Sequence, residues 1–179
     1  MPTRSGYGRT AARSRAAQPA GAFRVAGVQM ASGPNISANL HEAGRLIEMA
    51  VAQGARLVAL PEYFAIMGLR DTDKVRARER EGDGRIQHFL AETARRHGIW
   101  LIGTSVPMVS PNEGRIYNSC LVFDDSGRQV ARYDKIHLFS LDLGKERFSE
   151  ERTIEPGRQV QERALAAAAA AHDGEEARL

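Results

Sequence analysis

Cysteine is nearly absent from this 179-residue sequence, in which Cys120 is the only one. A single cysteine cannot form a disulfide within the chain, so the sequence lacks the framework of a small secreted domain, and a cytoplasmic location is expected. Nor does it supply the thiolate cluster of a structural zinc site, and the five histidines show no metal-motif spacing. We therefore expect no metal and no cofactor.

Long apolar runs are missing as well. The longest uncharged stretches, such as residues 99–108, have the length of a strand and fall short of the ~20 residues of a membrane span. Residues 1–22 carry four arginines and no acid, so the net charge of +3 leaves the rest of the chain nearly neutral. We expect a disordered basic tail over residues 1–22, no membrane association and no nucleic-acid partner.

Strand and helix patterns alternate from Phe23 onwards. Asn35 or Ser37 is suited to cap the first helix, and Gly54 and Gly98 are suited to end the two helices. Alternation of this kind is typical of βαβ units with right-handed crossovers. The predicted order is strand, helix, strand, helix, strand, over residues 23–30, 35–54, 57–60, 86–98 and 99–104.

The pattern changes in the second half of the sequence. Two strands, 115–123 and 128–133, are joined by an acidic, glycine-containing turn, which predicts a hairpin and therefore a mixed sheet in an α/β fold. Residues 134–157 are predicted to be loop. Residues 161–179 are rich in alanine but have almost no large apolar side chain, so a frayed helix or disorder is expected there.

Two charged residues follow predicted strands. Glu62 comes after the apolar run 57–60, and Lys135 comes after the strand 128–133. The carboxyl ends of strands border the cleft of an open α/β sheet. The apolar neighbours of Glu62 are expected to remove its carboxylate partly from water, which suits a general base. Taken singly, Glu62 is better explained as a surface carboxylate at the start of a loop, and Lys135 as a solvated lysine.

The order of these residues, and the strings around them, resemble the nitrilase (carbon–nitrogen hydrolase) superfamily. The strings are Val28-Gln29-Met30, Leu60-Pro61-Glu62, Tyr117-Asn118 and Tyr133-Asp134-Lys135-Ile136-His137-Leu138-Phe139. Within the superfamily the sequence looks most like the branch of omega-amidase and deaminated-glutathione amidase. The resemblance implies a partial α-β-β-α sandwich with mixed sheets that is incomplete at the C-terminus, with residues 23–160 as the N-terminal part of the domain.

The resemblance also implies roles for three residues. Glu62 matches the general base, Lys135 matches the lysine that stabilises the tetrahedral intermediate, and Glu150 matches a glutamate that precedes the family's Pro-Gly. Glu151 is adjacent and is an alternative to Glu150. The implied substrate of a completed protein is a small-molecule amide, and the implied assembly is a homo-oligomer, since the family commonly forms dimers.

The cysteine nucleophile of the family has no match. In the family it follows the lysine by a few tens of residues, whereas Cys120 precedes Lys135 and fits a small buried thiol within a strand. We therefore expect a chain truncated before its cysteine and inactive. Three explanations stay open: a frameshift or truncated gene, a shortened pseudoenzyme, or chemistry moved elsewhere. The alternative function is a non-catalytic fragment or interaction subunit that pairs with a complete homologue.

Overall fold

The structure is a computed structural model, and it describes residues 23–144 and 147–158. The predicted basic tail and the alanine-rich segment lie outside the described residues. The elements, in chain order, are β1 (Val25–Gly27), α1 (Ile36–Ala52), β2 (Leu57–Ala59), α2 (Asp73–Arg76), α3 (Arg85–His97), β3 (Trp100–Val109), β4 (Ile116–Phe123), β5 (Gln129–Asp134), β6 (Ser140–Asp142), β7 (Arg147–Ser149) and a 3-10 turn (Glu150–Arg152).

Five of the strands form one sheet in the order β1-β2-β3-β4-β5. The pairs β1–β2 and β2–β3 are parallel, because each is joined through a helix. The pairs β3–β4 and β4–β5 are antiparallel, and the β4–β5 turn is closed by the Asp124 carboxylate, which accepts hydrogen bonds from the backbone of Ser126 and Arg128. The predicted mixed sheet is confirmed.

Residues at their ends mark where the two long helices, α1 and α3, begin or end. The side chain of Asn35 accepts a hydrogen bond from the backbone N–H of Ala38, so it caps α1 as expected. Gly98 ends α3 in the left-handed conformation, with φ of 58°. Both helices pack on the same face of the sheet, where Ile47 and Leu90 are fully buried against Val58.

The other face of the sheet is also apolar but is open in the described part of the chain. Strand register places one set of side chains on that face, and all of them are half-buried or exposed. The members of this open face are Val25, Leu57, Trp100, Ala59, Ile102, Val122, Cys120 and Tyr133. The sheet is therefore built to be covered on both sides.

Three parts of the sequence prediction differ from the structure. Strand β3 continues past the predicted end at residue 104 to Val109, through an irregularity at Ser105, because β4 pairs along its whole length. Residues 70–83, for which the sequence predicts no helix or strand, contain α2, and the predicted loop 134–157 contains the β6–β7 hairpin. Elements of three or four residues are too short to produce a periodic pattern, so these were missed.

Candidate active site

Three charged side chains that lie far apart in the sequence meet at one edge of the sheet. Glu62 follows β2, Lys135 follows β5, and Glu150 opens the 3-10 turn after β7. The Nζ of Lys135 lies 3.2 Å from Oε1 of Glu62 and 3.0 Å from Oε2 of Glu150. Lys135 is therefore the shared centre of the cluster, and the two carboxylates flank it.

The backbone on both sides of Lys135 is fixed. Its N–H donates to the carbonyl of Asn118 on β4, and its carbonyl accepts from the N–H of Gly157, both at 2.9 Å. A Cβ atom at Gly157 would collide with the backbone carbonyl of Asp134. Glycine is required at this position because the returning chain crosses so close to the end of β5.

Glu150 is buried and fully hydrogen-bonded. Its side chain is only 4% exposed. The Tyr63 hydroxyl donates to Oε1 at 2.7 Å, and the Phe139 N–H donates to Oε2 at 2.7 Å. Lys135 donates to the same carboxylate. The backbone N–H of Glu150 in turn donates to the Phe139 carbonyl. A buried carboxylate with this many donors is held in one position.

The electrostatics keep the Lys135–Glu150 pair ionised. Burial by itself would raise the pKa of Glu150, but the hydrogen bonds from Phe139, Tyr63 and Lys135 outweigh it and the pKa is lowered. Burial likewise opposes the charge on Lys135, but the hydrogen bonds and charges of Glu150 and Glu62 raise its pKa above the ordinary value. At neutral pH Lys135 is therefore an ammonium and Glu150 a carboxylate.

The expected desolvation of Glu62 is wrong. Its side chain is 55% exposed, and Lys135 is its hydrogen-bond partner. The apolar neighbours that were expected to cover it turn elsewhere, because Phe64 and Ile66 are buried in the hydrophobic core and Tyr63 points its hydroxyl at Glu150. The chain order alone does not reveal that these side chains leave Glu62 open to water.

The two adjacent glutamates differ in where their side chains lie. Glu150 points into the cluster, whereas Glu151 is exposed on the 3-10 turn. Cys120, on β4, is paired in register with Tyr133 and belongs to the open face of the sheet. Burial raises the pKa of its thiol, which disfavours the thiolate that a nucleophile needs.

Two further residues belong to this neighbourhood and were missed by sequence reasoning. Tyr63 has a positive φ of 58°, a conformation that costs energy for a bulky residue and points its hydroxyl at Glu150. Lys74, on α2, places its Nζ 5.6 Å from the centre of the Tyr63 ring. The tyrosine directly after Glu62 was a usable signal, but nothing in the sequence pattern distinguished Lys74.

Across residues 23–144 and 147–158, no three His, Cys, Asp or Glu side chains are grouped so that they could ligate a metal ion. Within the same residues, no helix combines the length and the hydropathy needed to cross a bilayer.

Comparison with known proteins gives a consistent set of relatives. A model of the carbon–nitrogen hydrolase family matches residues 24–172. Nitrilase homolog 2 of Dictyostelium discoideum is 38% identical over 75% of this chain and 41% of that protein. Omega-amidase NIT2-B of Xenopus laevis is 38% identical over 75% of this chain and 48% of its own length. The chain spans less than half the length of these two relatives.

Solved structures agree with the fold. The C. elegans NitFhit protein is 30% identical, with a TM-score of 0.67 over 75% of this chain and 33% of that chain. Saccharomyces cerevisiae Nit3, a member of branch 10 of the nitrilase superfamily, is 27% identical, with a TM-score of 0.60 over 72% of this chain and 45% of that chain. The predicted nitrilase-type α/β fold, present in part, is confirmed.

Proposed function

Because the chain belongs to the carbon–nitrogen hydrolase family, we propose that Glu62, Lys135 and Glu150 form the acid–base and charge-stabilising part of an amidase site. Its substrates are small amides with non-peptide C–N bonds. The single observation that carries the proposal is the Lys135 ammonium, held within 3.2 Å of Glu62 and 3.0 Å of Glu150.

Each residue has a task that its surroundings support. Cleavage of an amide C–N bond concentrates negative charge on the former carbonyl oxygen, and the positioned Lys135 ammonium stabilises that charge. Glu150 keeps the ammonium charged and fixed, because its own position is set by Tyr63 and Phe139. Glu62 is exposed and, among the described residues, is hydrogen-bonded to Lys135 alone, so it is accessible to take up and return a proton.

The nucleophile is the remaining part of the reaction. In the mechanism implied by the family, a thiol gives its proton to the glutamate base while its sulfur bonds to the amide carbon. The C–N bond then breaks, the nitrogen leaves with that proton, and water hydrolyses the thioester. Cys120 is the only thiol in the 179 residues, and it lies within β4. We therefore propose that this polypeptide binds amides without turning them over.

The inactivity is tested by assaying ammonia release from glutaramate, an omega-amide, with the purified 179-residue chain. We expect no release above that of buffer, because Glu62 and Lys135 only assist a covalent step. Turnover that disappears in Glu62→Gln would contradict the proposed inactivity.

Binding is tested separately, by NMR of the chain labelled with ¹³C at the lysine ε carbons. Lys74, Lys135 and Lys145 are the three lysines, so the signals are few and are assigned by single substitutions. We expect the Lys135 signal to shift when an amide is added and the same amide to bind Lys135→Met more weakly. An unchanged Lys135 signal would remove the support for an amide site.

One observation favours the second candidate function, a non-catalytic subunit that pairs with a complete homologue. The open face of the sheet is apolar, and Val25 on it is 62% exposed. An apolar sheet face that is left partly exposed is a feature of interaction sites. Analytical ultracentrifugation of the chain mixed with a complete homologue would show a joint species under this proposal and separate species otherwise.

A further inference from the structure

Asp134, the last residue of β5, is anchored to the neighbouring strand through its side chain. The hydroxyl of Ser119 on β4 donates to Oδ1 of Asp134 at 2.5 Å, and the two residues are paired in register. Ser119 is fully buried, so water has little access to its hydroxyl. A hydrogen bond to a carboxylate that is shielded in this way is a strong one.

Arg132 holds the same carboxylate from within β5. Its Nε donates to Oδ1 of Asp134 at 2.9 Å, and its Nη2 donates to Oδ2 at 3.3 Å. The guanidinium is itself held, because Nη1 donates to Glu81 at 2.6 Å and its central carbon lies 5.8 Å from the centre of the Tyr117 ring. The bonds from Arg132 Nε and from the β4 hydroxyl both end on Oδ1, so this single oxygen fixes the carboxylate.

The main chain of Asp134 is enclosed as well. A Cβ atom at Gly157 would collide with the carbonyl group and with the Cβ of Asp134, so the returning chain lies directly against it. Successive side chains of an extended chain point to opposite sides. Because the Asp134 side chain is fixed, the direction in which the Lys135 side chain leaves the end of β5 is fixed too.

We propose that Asp134 is a positioning residue outside the cluster, whose anchored carboxylate directs the neighbouring Lys135 ammonium towards Glu62 and Glu150. Among the described residues, the ion-pair partners of that ammonium are Glu62 and Glu150, so Asp134 acts on it through the backbone and not as a third carboxylate. The inference deepens the proposed function, and its meaning for amide binding rests on that function.

Two substitutions separate the anchoring of this carboxylate from its charge. Asp134→Asn removes the negative charge but keeps Oδ1 as an acceptor for Ser119 and Arg132. Ser119→Ala keeps the charge but removes the donor on β4. Asp134→Ala removes the charge and the acceptor together, so the three variants show which of the two properties matters.

The measurement is the pKa of Lys135, from a pH titration of its signal in the 179-residue chain labelled with ¹³C at the lysine ε carbons. Burial alone would lower this pKa, but the hydrogen bonds and charges of Glu150 and Glu62 raise it above the ordinary value of 10.5. An ammonium that is no longer directed at them loses this effect. We expect the pKa to fall in Asp134→Ala, to fall less in Ser119→Ala, and to stay close to the wild-type value in Asp134→Asn.

Asp125→Ala is the matched control, because it removes an exposed aspartate from the turn at the other end of the same hairpin. It should leave the pKa of Lys135 unchanged. A pKa that falls as far in Asp134→Asn as in Asp134→Ala would show that the charge matters and would overturn the inference. An unchanged pKa in a folded Asp134→Ala would also overturn it, and Ser119→Ala decides in the same way if Asp134→Ala does not fold.

Addition of glutaramate distinguishes this inference from the proposed function. We expect the amide to bind Asp134→Ala about tenfold more weakly than Asp134→Asn, because a misdirected ammonium loses about one charge-assisted hydrogen bond. If the wild type binds no glutaramate but the pKa of Lys135 follows the anchoring, the proposed function fails and the positioning role stands. If the wild type binds glutaramate and the pKa does not follow the anchoring, the inference alone fails.

Discussion

Glu62 and Glu150 contact the same Lys135 ammonium, but one carboxylate is exposed to water and the other is buried. Glu150 is 4% exposed and is held by Tyr63, Phe139 and Lys135, whereas Glu62 is 55% exposed and is held by Lys135. The carboxylates have the same chemistry and nearly the same distance to Nζ. Their difference lies in how many donors each one has and how much water reaches it.

The comparison separates two tasks within one site. A carboxylate that is buried and fully hydrogen-bonded is costly to move or to protonate, so it suits the fixing of a neighbour. A carboxylate with one exposed ion pair contributes little to stability and is free to exchange protons. We infer that Glu150 is the positioning residue of the cluster and that Glu62 is the one available for proton transfer.

The sharpest test of this contrast is to remove each carboxylate in turn. Glu150→Ala leaves Lys135 and Tyr63 without their shared partner, and we expect the free energy of unfolding to fall by about 3 kcal/mol. Glu62→Ala should change it by about 0.5 kcal/mol or less. Urea unfolding followed by circular dichroism measures both. Equal losses in the two variants would refute the contrast.

The buried side of the cluster also depends on the chain crossing at Gly157. Gly157→Ala forces a Cβ against the backbone of Asp134, next to Lys135, so we expect a loss of about 2 kcal/mol in unfolding free energy. Gly33→Ala is the control, since a Cβ there meets nothing within 4 Å. A wild-type-like Gly157→Ala would mean that the returning chain is not packed against β5.

Removal of a single donor should have a smaller effect. Tyr63→Phe deletes the 2.7 Å hydrogen bond to Glu150 and keeps the ring that contacts Lys74. We expect the unfolding free energy to fall by about 1 kcal/mol, because Lys135 and Phe139 still satisfy the carboxylate. A loss as large as that of Glu150→Ala would show that Lys135 and Phe139 do not hold the carboxylate once the hydroxyl is gone.

The pH dependence of stability should be the smallest of these effects, and it should also depend on Glu150. The pKa of Glu150 is below its ordinary value of 4.5, so its stabilisation is present above that pH and is lost as the pH falls through the folded value. We therefore measure the free energy of unfolding of wild type and Glu150→Gln from pH 7 to pH 3. The difference between the two free energies should become smaller as the pH falls. A gap that stays constant would mean that the pKa of Glu150 is not depressed in the folded chain.

The sequence indicated which charged residues form the cluster, but it did not indicate which of them are buried and which are exposed to water. Glu62 and Lys135 were found because both follow strands in strings that resemble one family, and Glu150 was found by its distance from Pro156-Gly157. Which side chain is buried was not predictable in this way. Phe64 could as well have covered Glu62 as entered the core, since chain order does not specify the direction of a loop side chain.

The short elements explain the other omissions. Helix α2 and strands β6 and β7 have three or four residues each, so no periodic pattern marked them. Lys74 and Phe139 lie in or next to these elements, so the contacts that they make with the site were not predicted. Their importance comes from contacts with residues far away along the chain, such as the hydrogen bond between Phe139 and Glu150.

The sequence by itself determined the mixed α/β sheet, the ends of the long helices and the candidates Glu62 and Lys135, because periodicity, capping residues and motif strings are local. It left Glu150 and Glu151 as alternatives. Only the tertiary structure decided that Glu150 is enclosed, that Glu62 is open and that Lys74 faces Tyr63. Burial and hydrogen-bond partners depend on which distant segments approach a side chain, and that depends on how the entire chain packs.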